Sequence, residues 1–305
     1  MLEEREGTFM MPRSAQMALI IPGILLFVFL FAMMPVVLHF GPGDGGLQFS
    51  WGQGFQSLKA YIAGLGSGES FTYYSGKNLH HFWERIGIYF LTSFYYVTAA
   101  GILGSAIGIF IGIYFAISKA GWAKSVADFI GALPDFVIVL LLQFMIVLIA
   151  KETGVVLFEV ATLSADDPAV VLPLLAMIII PANYMLRNVS MQMKLTLTED
   201  YISNAKAKGM GKLYIIFYHA LPNVLPYVKG DLHKLMGIVM GNLFIVEYLF
   251  NNKGVSILIF AHAFVGGEYQ YDIVVNGLLS FLILYGLGYG LVRLFLFALG
   301  KVFQR

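Results

Sequence analysis

The chain contains no cysteine and few charged residues. The absence of cysteine from all 305 residues excludes disulfide bonds, thiol catalysis and thiolate metal sites. Only 12% of the residues are charged, about half of the roughly 25% carried by soluble domains. Because 59% are hydrophobic, the apolar surface exceeds what a soluble core encloses, and part of it must face lipid. The formal net charge of +1 gives no bulk attraction for nucleic acid, so no nucleic-acid partner is predicted.

Six apolar stretches are long enough to cross a bilayer, whose hydrocarbon core of about 30 Å needs about 20 helical residues. They are Ala15–Phe40, Ile86–Ile117, Phe129–Ala150, Val170–Leu186, Leu235–Phe250 and Ile273–Leu299. The first is too long for the core of a signal peptide and is interpreted as a retained helix. The fifth is the weakest because Asn242 and Glu247 interrupt it. These stretches predict an all-α integral membrane protein with about six transmembrane helices, in contact with membrane lipid.

The distribution of lysine and arginine predicts the orientation, since cytoplasmic segments carry an excess of both. The segment 187–234 is basic, whereas Lys151–Asp167 holds one lysine against four acidic residues. Alternating these segments across the membrane places both termini and the basic segment in the cytoplasm. The long loop 41–85 then lies outside, although its three basic residues depart mildly from the rule. This loop is rich in glycine and aromatic residues, which fits either an interfacial cap or a docking surface for a partner.

A short helix is predicted over Leu197–Lys208, inside the basic segment. Thr196 followed by Glu199 is a capping-box pattern, in which each side chain satisfies a free backbone N–H at the start of a helix. Gly209 stands where a left-handed residue would end the helix. A second helix is predicted over Lys212–Ala220, ended by Pro222.

The predicted Leu197–Lys208 helix places Leu197, Tyr201 and Ala205 on one face. A short amphipathic helix between two membrane spans has two interpretations. It either lies on the membrane surface or inserts its apolar face into a groove of another protein. The physical chemistry of the residues leaves both open.

The same segment resembles the cytoplasmic signature of binding-protein-dependent importer permeases, E-A-A, three residues, G, nine residues, I-x-L-P. With the glycine of this signature at Gly209, Ala205 is its second alanine, His219 stands at the isoleucine, and Leu221 and Pro222 form the terminal pair. Ser203-Asn204 replaces the glutamate and first alanine. The variants D-Y-[IV]-x-x-A-[KR]-A-K-G and H-A-L-x-N, typical of the dipeptide, oligopeptide and nickel branch, match Asp200–Gly209 and His219–Asn223.

Two further stretches are similar to that branch. His39–Asp44 resembles its L-x-P-G-D motif after the first span. Gly241–Gly254 resembles G-x-x-x-x-x-E-x-x-F-x-x-P-G, with Lys253 where proline is usual. The similarity covers residues 86–299 well and the first span loosely, and Arg293 departs from it by replacing an acidic residue.

The resemblance implies a type I ABC importer permease fold in a bacterial or archaeal plasma membrane. Its parts would be residues 1–40 as cytoplasmic N-terminus and first helix, 41–85 as external loop, and 86–300 as the permease domain with a coupling segment at 196–223. It also implies three kinds of protein partner: a homologous second permease subunit, cytoplasmic ABC ATPase subunits and an extracytoplasmic solute-binding protein. The residues implied to contact the ATPase are Asp200, Tyr201, Ala205, Gly209, His219, Leu221 and Pro222.

The chain itself is predicted to be non-catalytic, with no cofactor and no metal site. It has no G-x-x-x-x-G-K-[ST] loop, because Gly211-Lys212 lacks the upstream glycine and the following hydroxyl. ATP would therefore be bound and hydrolysed by the partner chains. The alternative is a secondary transporter, or another polytopic protein without an ATPase, but that class needs coupling acids in broken helices or inverted repeats, and neither is clear in the sequence.

Asn242 and Glu247 are the candidate residues of the translocation pathway, because polar groups inside a span are costly and often functional. The alternative for Glu247 is a hydrated position near the outer interface. Gly101, Gly104, Gly108 and Gly112 form a stripe in the second span that permits close helix packing.

Overall fold

A computed structural model describes residues 13–40, 46–118, 121–163 and 168–303 of the chain. Several residues used above lie outside these ranges: residues 1–12 of the predicted cytoplasmic N-terminus, Gly41–Asp44 of the L-x-P-G-D resemblance, and Asp166 and Asp167 of the acidic loop.

Six helices in the described part of the chain are long and apolar enough to span a membrane, which confirms the predicted class. The elements in chain order are α1 (Arg13–Val37), β1 (Leu38–Phe40), β2 (Leu47–Phe49), α2 (Trp51–Ser67), β3 (Thr72–Ser75), β4 (Asn78–His81), α3 (Phe82–Ile117), α4 (Gly121–Ala132), α5 (Asp135–Thr153), α6 (Val171–Thr196), α7 (Asp200–Ala207), α8 (Lys212–Tyr214), a π-helix (Ile215–Ala220), α9 (Leu221–Gly230), α10 (Leu232–Leu249), α11 (Val255–His262), β5 (Phe264–Val265), β6 (Glu268–Tyr269) and α12 (Tyr271–Phe303). The membrane-crossing helices are α1, α3, α5, α6, α10 and α12.

Two predicted spans differ from the helices observed. The stretch Phe129–Ala150 is divided, because Pro134 separates the shorter helix α4 from the membrane helix α5. Proline has no N–H to donate and cannot continue the preceding helix. The stretch Val170–Leu186 continues as helix α6 to Thr196, because charged residues after Leu186 end the apolar pattern without breaking the helix.

The chain forms two compact units. The first contains the described residues up to Glu84 together with Ala261–Leu279, and the second contains Arg85–Phe260 with the remainder of the chain from Ser280.

Hydrogen bonds across distant sequence positions hold the first unit together. The Tyr61 hydroxyl donates to Asn276 Oδ1 at 2.8 Å, and Asn276 Nδ2 donates to the Ser70 carbonyl at 2.7 Å. Gln270 bonds both the N–H and the carbonyl of Tyr74, at 2.6 and 2.9 Å. The loop 41–85 is therefore largely folded in its described part, with helix α2, a short 3-10 helix and antiparallel hairpins at β1–β2 and β3–β4.

Helices α3 and α6 of the second unit pack closely through the glycine stripe. A Cβ atom added at Gly108 would lie 2.6 Å from the Ala182 carbonyl oxygen, and one at Gly112 would lie 2.8 Å from the Leu186 carbonyl oxygen. Because these neighbours are backbone atoms, no side chain fits there without separating the helices. The predicted packing role is confirmed: Gly104, Gly108 and Gly112 hold the middle of α6 against α3, and Gly101 faces Val292 of α12.

Candidate functional site

The helix predicted at Leu197–Lys208 is shorter in the structure, where α7 covers Asp200–Ala207. The predicted capping box is wrong. Thr196 is the last residue of α6, and the N-cap of α7 is Glu199, whose side chain makes no capping hydrogen bond. The reason is that α6 continues through Thr196, so this residue cannot adopt the extended conformation that an N-cap needs.

The predicted end of this helix at Gly209 is confirmed. Gly209 has a φ of +76°, in the left-handed region that glycine adopts without steric cost. Its N–H donates to the Lys206 carbonyl at 2.9 Å, and the Met210 N–H donates to the Ala205 carbonyl at 3.2 Å. This pair of bonds is the Schellman motif, which fixes the direction in which the chain leaves α7.

The buried face of α7 differs from the predicted stripe. Ile202 and Ala205 are buried in the core of the second unit, whereas Tyr201 is exposed. Leu197 lies outside the helix and is partly buried against the same core. Ala205 therefore packs within its own chain, and the surface that α7 offers to a partner is formed by other residues.

The helix predicted to end at Pro222 continues past it. Residues Ile215–Ala220 form a π-helix, and α9 follows directly, with Pro222 in its first turn, where a missing N–H is tolerated. The wider π turn shifts the hydrogen-bond register just before the proline. The Asn223 side-chain amide donates to the His219 carbonyl at 2.7 Å, which gives that carbonyl a partner beside the proline.

The exposed surface of this segment is apolar and basic. We define the coupling surface as its exposed large apolar side chains and the three lysines between them: Tyr201, Met210, Leu213, Tyr214, Tyr218, Lys206, Lys208 and Lys212. Leu213 is 68% exposed and Tyr214 is 52% exposed. Burial against the chain, and then the nearby Glu199 carboxylate, raise the pKa of Tyr201, so its hydroxyl stays neutral at physiological pH.

The remaining predicted contact residues have different environments. Asp200 is exposed in the first turn of α7, and Leu221 is buried. His219 is partly buried, and its Nε2 atom has no hydrogen-bond partner in the described part of the chain. The structure brings the predicted residues into one segment, but only some of them reach its surface.

Asn242 and Glu247 are both buried on α10, with no exposed area. One Glu247 carboxylate oxygen accepts a hydrogen bond from the Ser93 hydroxyl, and the other accepts from the Ser256 N–H at 2.9 Å. Asn242 Nδ2 donates to the Ala176 carbonyl at 3.3 Å. Glu247 therefore joins α10 to α3 and to the start of α11, which differs from the hydrated alternative.

A cavity of about 530 Å³, apolar over most of its lining but with several charged side chains, lies beside α4, α5, α6 and α10 in the second unit. Its charged lining residues are Asp135, Arg187, Asp231 and Lys234, accompanied by Asn183, Tyr184 and Asn188. Asp231 accepts hydrogen bonds from the Tyr184 hydroxyl, at 3.0 Å, and from Asn188 Nδ2. The Lys234 ammonium lies 5.2 Å from the centre of the Tyr184 ring. Two acidic and two basic side chains thus line one cavity.

Sequence reasoning missed this cavity. In the sequence, Arg187 and Lys234 stand out only as the ends of the basic segment 187–234. A signal existed, because Asn183, Tyr184, Arg187 and Asn188 recur at three- and four-residue intervals and therefore share one face of α6. In the described residues, no group of three or more histidine or acidic side chains is placed to hold a metal ion.

The fold and the site define a class: a multi-pass α-helical membrane protein with a structured connecting segment between two of its spans. The sequence profile of the family described as "Binding-protein-dependent transport system inner membrane component" matches residues 104–305. Because this match covers more than half of the chain, the chain belongs to that family, and the resemblance drawn from the motifs is confirmed.

Similar proteins agree with this assignment. The dipeptide transport system permease protein DppB of Bacillus subtilis is 30% identical over 173 residues, covering 55% of this chain and 54% of the relative. The metal-staphylopine import system permease protein CntB of Staphylococcus aureus is 26% identical over 177 residues, or 57% and 55% of the two chains. The glutathione transport system permease protein GsiC of Salmonella choleraesuis is 26% identical over 181 residues, or 58% and 57%. The chain thus spans about half the length of the curated relatives it matches.

A solved structure shares the fold. A chain of the inward-facing MetNI methionine ABC transporter superposes with a TM-score of 0.53 and 13% identity, covering 71% of this chain and 97% of the other. At this identity the likeness shows the fold alone, which is the predicted ABC importer permease fold.

Proposed function

We propose that this chain is the membrane-spanning subunit of an ATP-driven importer that moves a peptide or similar small solute into the cell. The relatives include a dipeptide permease and a glutathione permease, which supports the solute class. The chain would be non-catalytic, and ATP would be bound by cytoplasmic ABC ATPase subunits. A solute-binding protein outside the cell and a second, homologous permease would complete the importer.

The coupling surface is the observation that carries this proposal. Leu213 and Tyr214 are exposed, while Ile215 and Ile216, the next two residues, are buried in the core of the second unit. The core therefore anchors the segment, and the Schellman motif at Gly209 and the π-helix set its shape. A helical segment anchored on the core in this way can transmit movement of a bound partner to α6 and α9.

The orientation follows the lysine and arginine bias, with both termini and the coupling surface in the cytoplasm. We assign the residue ranges 1–40, 41–85 and 86–300 to the N-terminus with the first span, the external part and the permease domain. Asp200, Tyr201 and Gly209 would contact or shape the contact with the ATPase, and Ala205, His219, Leu221 and Pro222 would support it from the core side.

The cavity lined by Asp135, Arg187, Asp231 and Lys234 is proposed as part of the solute pathway. Its charges of both signs, on Asp135 and Asp231 and on Lys234, suit a solute with both an ammonium and a carboxylate group. The pathway role of Asn242 and Glu247 stays a prediction. Since both are buried within the chain, they would act by positioning α10.

Copurification of the ATPase tests the proposal. The chain is isolated from its native membranes in mild detergent, and we expect an ABC ATPase to copurify with it. Leu213→Asp should reduce the recovered ATPase at least roughly tenfold, because it places a charge in an apolar interface. The matched control is Val156→Asp, since Val156 is 66% exposed but lies between α5 and α6. A parent protein that carries no ATPase would favour the secondary transporter instead.

A further inference from the structure

A second groove, of about 470 Å³, lies between α3, α4 and α6 in the second unit. Its charged lining residues are Lys124, Asp128, Arg187 and Lys194. Arg187 Nε lies 3.5 Å from Asp128 Oδ1, so these two charges offset each other. Three cations against one acid leave two positive charges in the groove, on Lys124 and Lys194.

Apart from the hydroxyl side chains of Ser190 and Thr198, the rest of the groove is apolar. Phe115, Leu186, Met191 and Leu195 line it together with Ala127. Met191 and Leu195 are each more than half exposed, although they lie on a helix that crosses the membrane. Arg187, Met191, Lys194 and Leu195 recur at three- and four-residue intervals, so cationic and apolar side chains alternate along one face of α6.

Helix α4 places the groove at the level of the lipid headgroups. Trp122, Val126 and Phe129 are spaced at i, i+4 and i+7 and are all exposed, with Trp122 at 76%, while Ala127 on the other side is buried. An amphipathic helix with an exposed tryptophan lies in the membrane interface, with its apolar face toward the acyl chains. Lys124 and Lys194 are then at the depth of lipid phosphates.

We propose that this groove binds an anionic phospholipid, whose phosphate contacts Lys124 and Lys194 and whose acyl chains lie along Phe115, Met191 and Leu195. A soluble anion would use the two lysines but leave the exposed apolar side chains uncovered. A phospholipid without net charge would cover the apolar side chains but leave two positive charges unbalanced. The proposal depends on the membrane location of α4 and α6 and is independent of the ATPase and of the solute.

Trp122 does not line the groove, but it stands two residues before Lys124 on α4 and is a natural reporter of the lipid beside it. The tryptophans of the chain are Trp51, Trp83 and Trp122, so a Trp51→Phe/Trp83→Phe background leaves only the one on α4. This protein is reconstituted into phosphatidylcholine bilayers that contain increasing amounts of brominated phosphatidylglycerol. A second series uses brominated phosphatidylcholine with unlabelled phosphatidylglycerol. Quenching of Trp122 fluorescence is measured in both series. We expect phosphatidylglycerol to be favoured over phosphatidylcholine at this site by roughly tenfold, given two basic side chains at the membrane surface.

Variants of the two lysines distinguish binding at this site from a non-specific attraction of anionic lipid to the protein surface. Lys124→Gln/Lys194→Gln should bring the affinity ratio of phosphatidylglycerol to phosphatidylcholine close to one. Lys124→Arg/Lys194→Arg should retain the preference for phosphatidylglycerol. The matched control, Lys229→Gln/Lys301→Gln, removes the same charge from side chains that lie over the Phe297 ring, and should leave the preference unchanged.

Three results would overturn the proposal: equal quenching by both lipids in the parent, an equal loss of preference in the control pair, or displacement of the lipid by excess inorganic phosphate. The last result would identify a free-phosphate site. Native mass spectrometry of the full chain with all three tryptophans, counting phosphatidylglycerol molecules retained with and without Lys124→Gln/Lys194→Gln, gives the same comparison if the tryptophan background fails to fold.

Discussion

The carboxylate of Glu247 occupies the space in which any side chain at position 254 would stand. A Cβ atom added at Gly254 would coincide with the Glu247 carboxyl group. Ser93 donates its hydroxyl proton to the same carboxylate and accepts the Val255 N–H at 2.9 Å, so the turn after α10 is joined to α3. The E-x-x-F-x-x-x-G pattern therefore needs glycine at its last position, because the buried Glu247 carboxylate leaves no room for a side chain there.

Gly254→Ala should therefore destabilise the protein. Overpacking of a filled site typically costs about 1–3 kcal/mol, which should appear as a lower midpoint of thermal unfolding in detergent. Gly241→Ala is the control, because position 241 lies within helix α10 with open space around its Cβ, and it should be neutral or slightly stabilising. Equal midpoints for the two variants would contradict the packing described.

The contact between α3 and α6 predicts a graded effect of alanine. At Gly108 the nearest backbone atom to a new Cβ lies at 2.6 Å, whereas at Gly104 the nearest atom is a side-chain carbon of Pro181 at 3.1 Å. Gly108→Ala should lower the unfolding midpoint strongly and Gly104→Ala mildly. Gly237→Ala, which meets nothing within 4 Å, should not lower it. The reverse order would show that the two helices are not packed through this stripe.

Gly209 and Gly211 form a matched pair for testing the coupling segment. Gly209 has a φ of +76°, while Gly211 has a φ of −64°, which any residue adopts. Gly209→Ala should cost about 1 kcal/mol of local stability and reduce solute uptake, whereas Gly211→Ala should leave uptake unchanged. Gly209→Asn should retain more uptake than Gly209→Ala, because asparagine tolerates the left-handed region. Uptake that is insensitive to all three variants would contradict the role of this turn.

The first unit should lose stability in alkaline solution. Burial, and then the Asp272 carboxylate, raise the pKa of Tyr61 from 10.0 to about 12. A raised pKa in the folded state means that the stabilisation is complete below pH 10 and is lost as the pH rises from about 10 to about 12. Tyr61→Phe cannot ionise and should flatten this decline, at the expense of the hydrogen bond to Asn276. An unchanged decline in unfolding midpoint between these pH values would exclude Tyr61 as its origin.

The sequence predicted the features that depend on composition and on single special residues. Hydropathy located all six spans, and Gly209 predicted the end of α7 because few other residues accept a positive φ. Hydropathy could not show that α6 continues to Thr196, because a helix does not end where its apolar pattern ends. It also joined α4 to α5, although Pro134 was visible as the point of division.

The polar residues of the site were harder to predict, because their meaning depends on which helices meet. Asp231 accepts hydrogen bonds from Tyr184 and Asn188, which lie more than 40 positions away in sequence, and these bonds hold it at the cavity. Likewise, Ala205 belongs to the predicted face, but the core formed with Ile202 turns it inward. The residue pattern of one helix predicts which side chains share a face. It does not predict what that face contacts, because the contact depends on tertiary packing.

Site-specific photo-cross-linking tests whether the coupling surface contacts an ABC ATPase. A photoreactive amino acid replaces Leu213 in one protein and Val156 in another, both expressed in the native cells. We predict a cross-linked product between position 213 and an ABC ATPase, and none from position 156. If both proteins insert into the membrane at equal levels and position 213 gives no ATPase adduct, the coupling surface does not bind the ATPase.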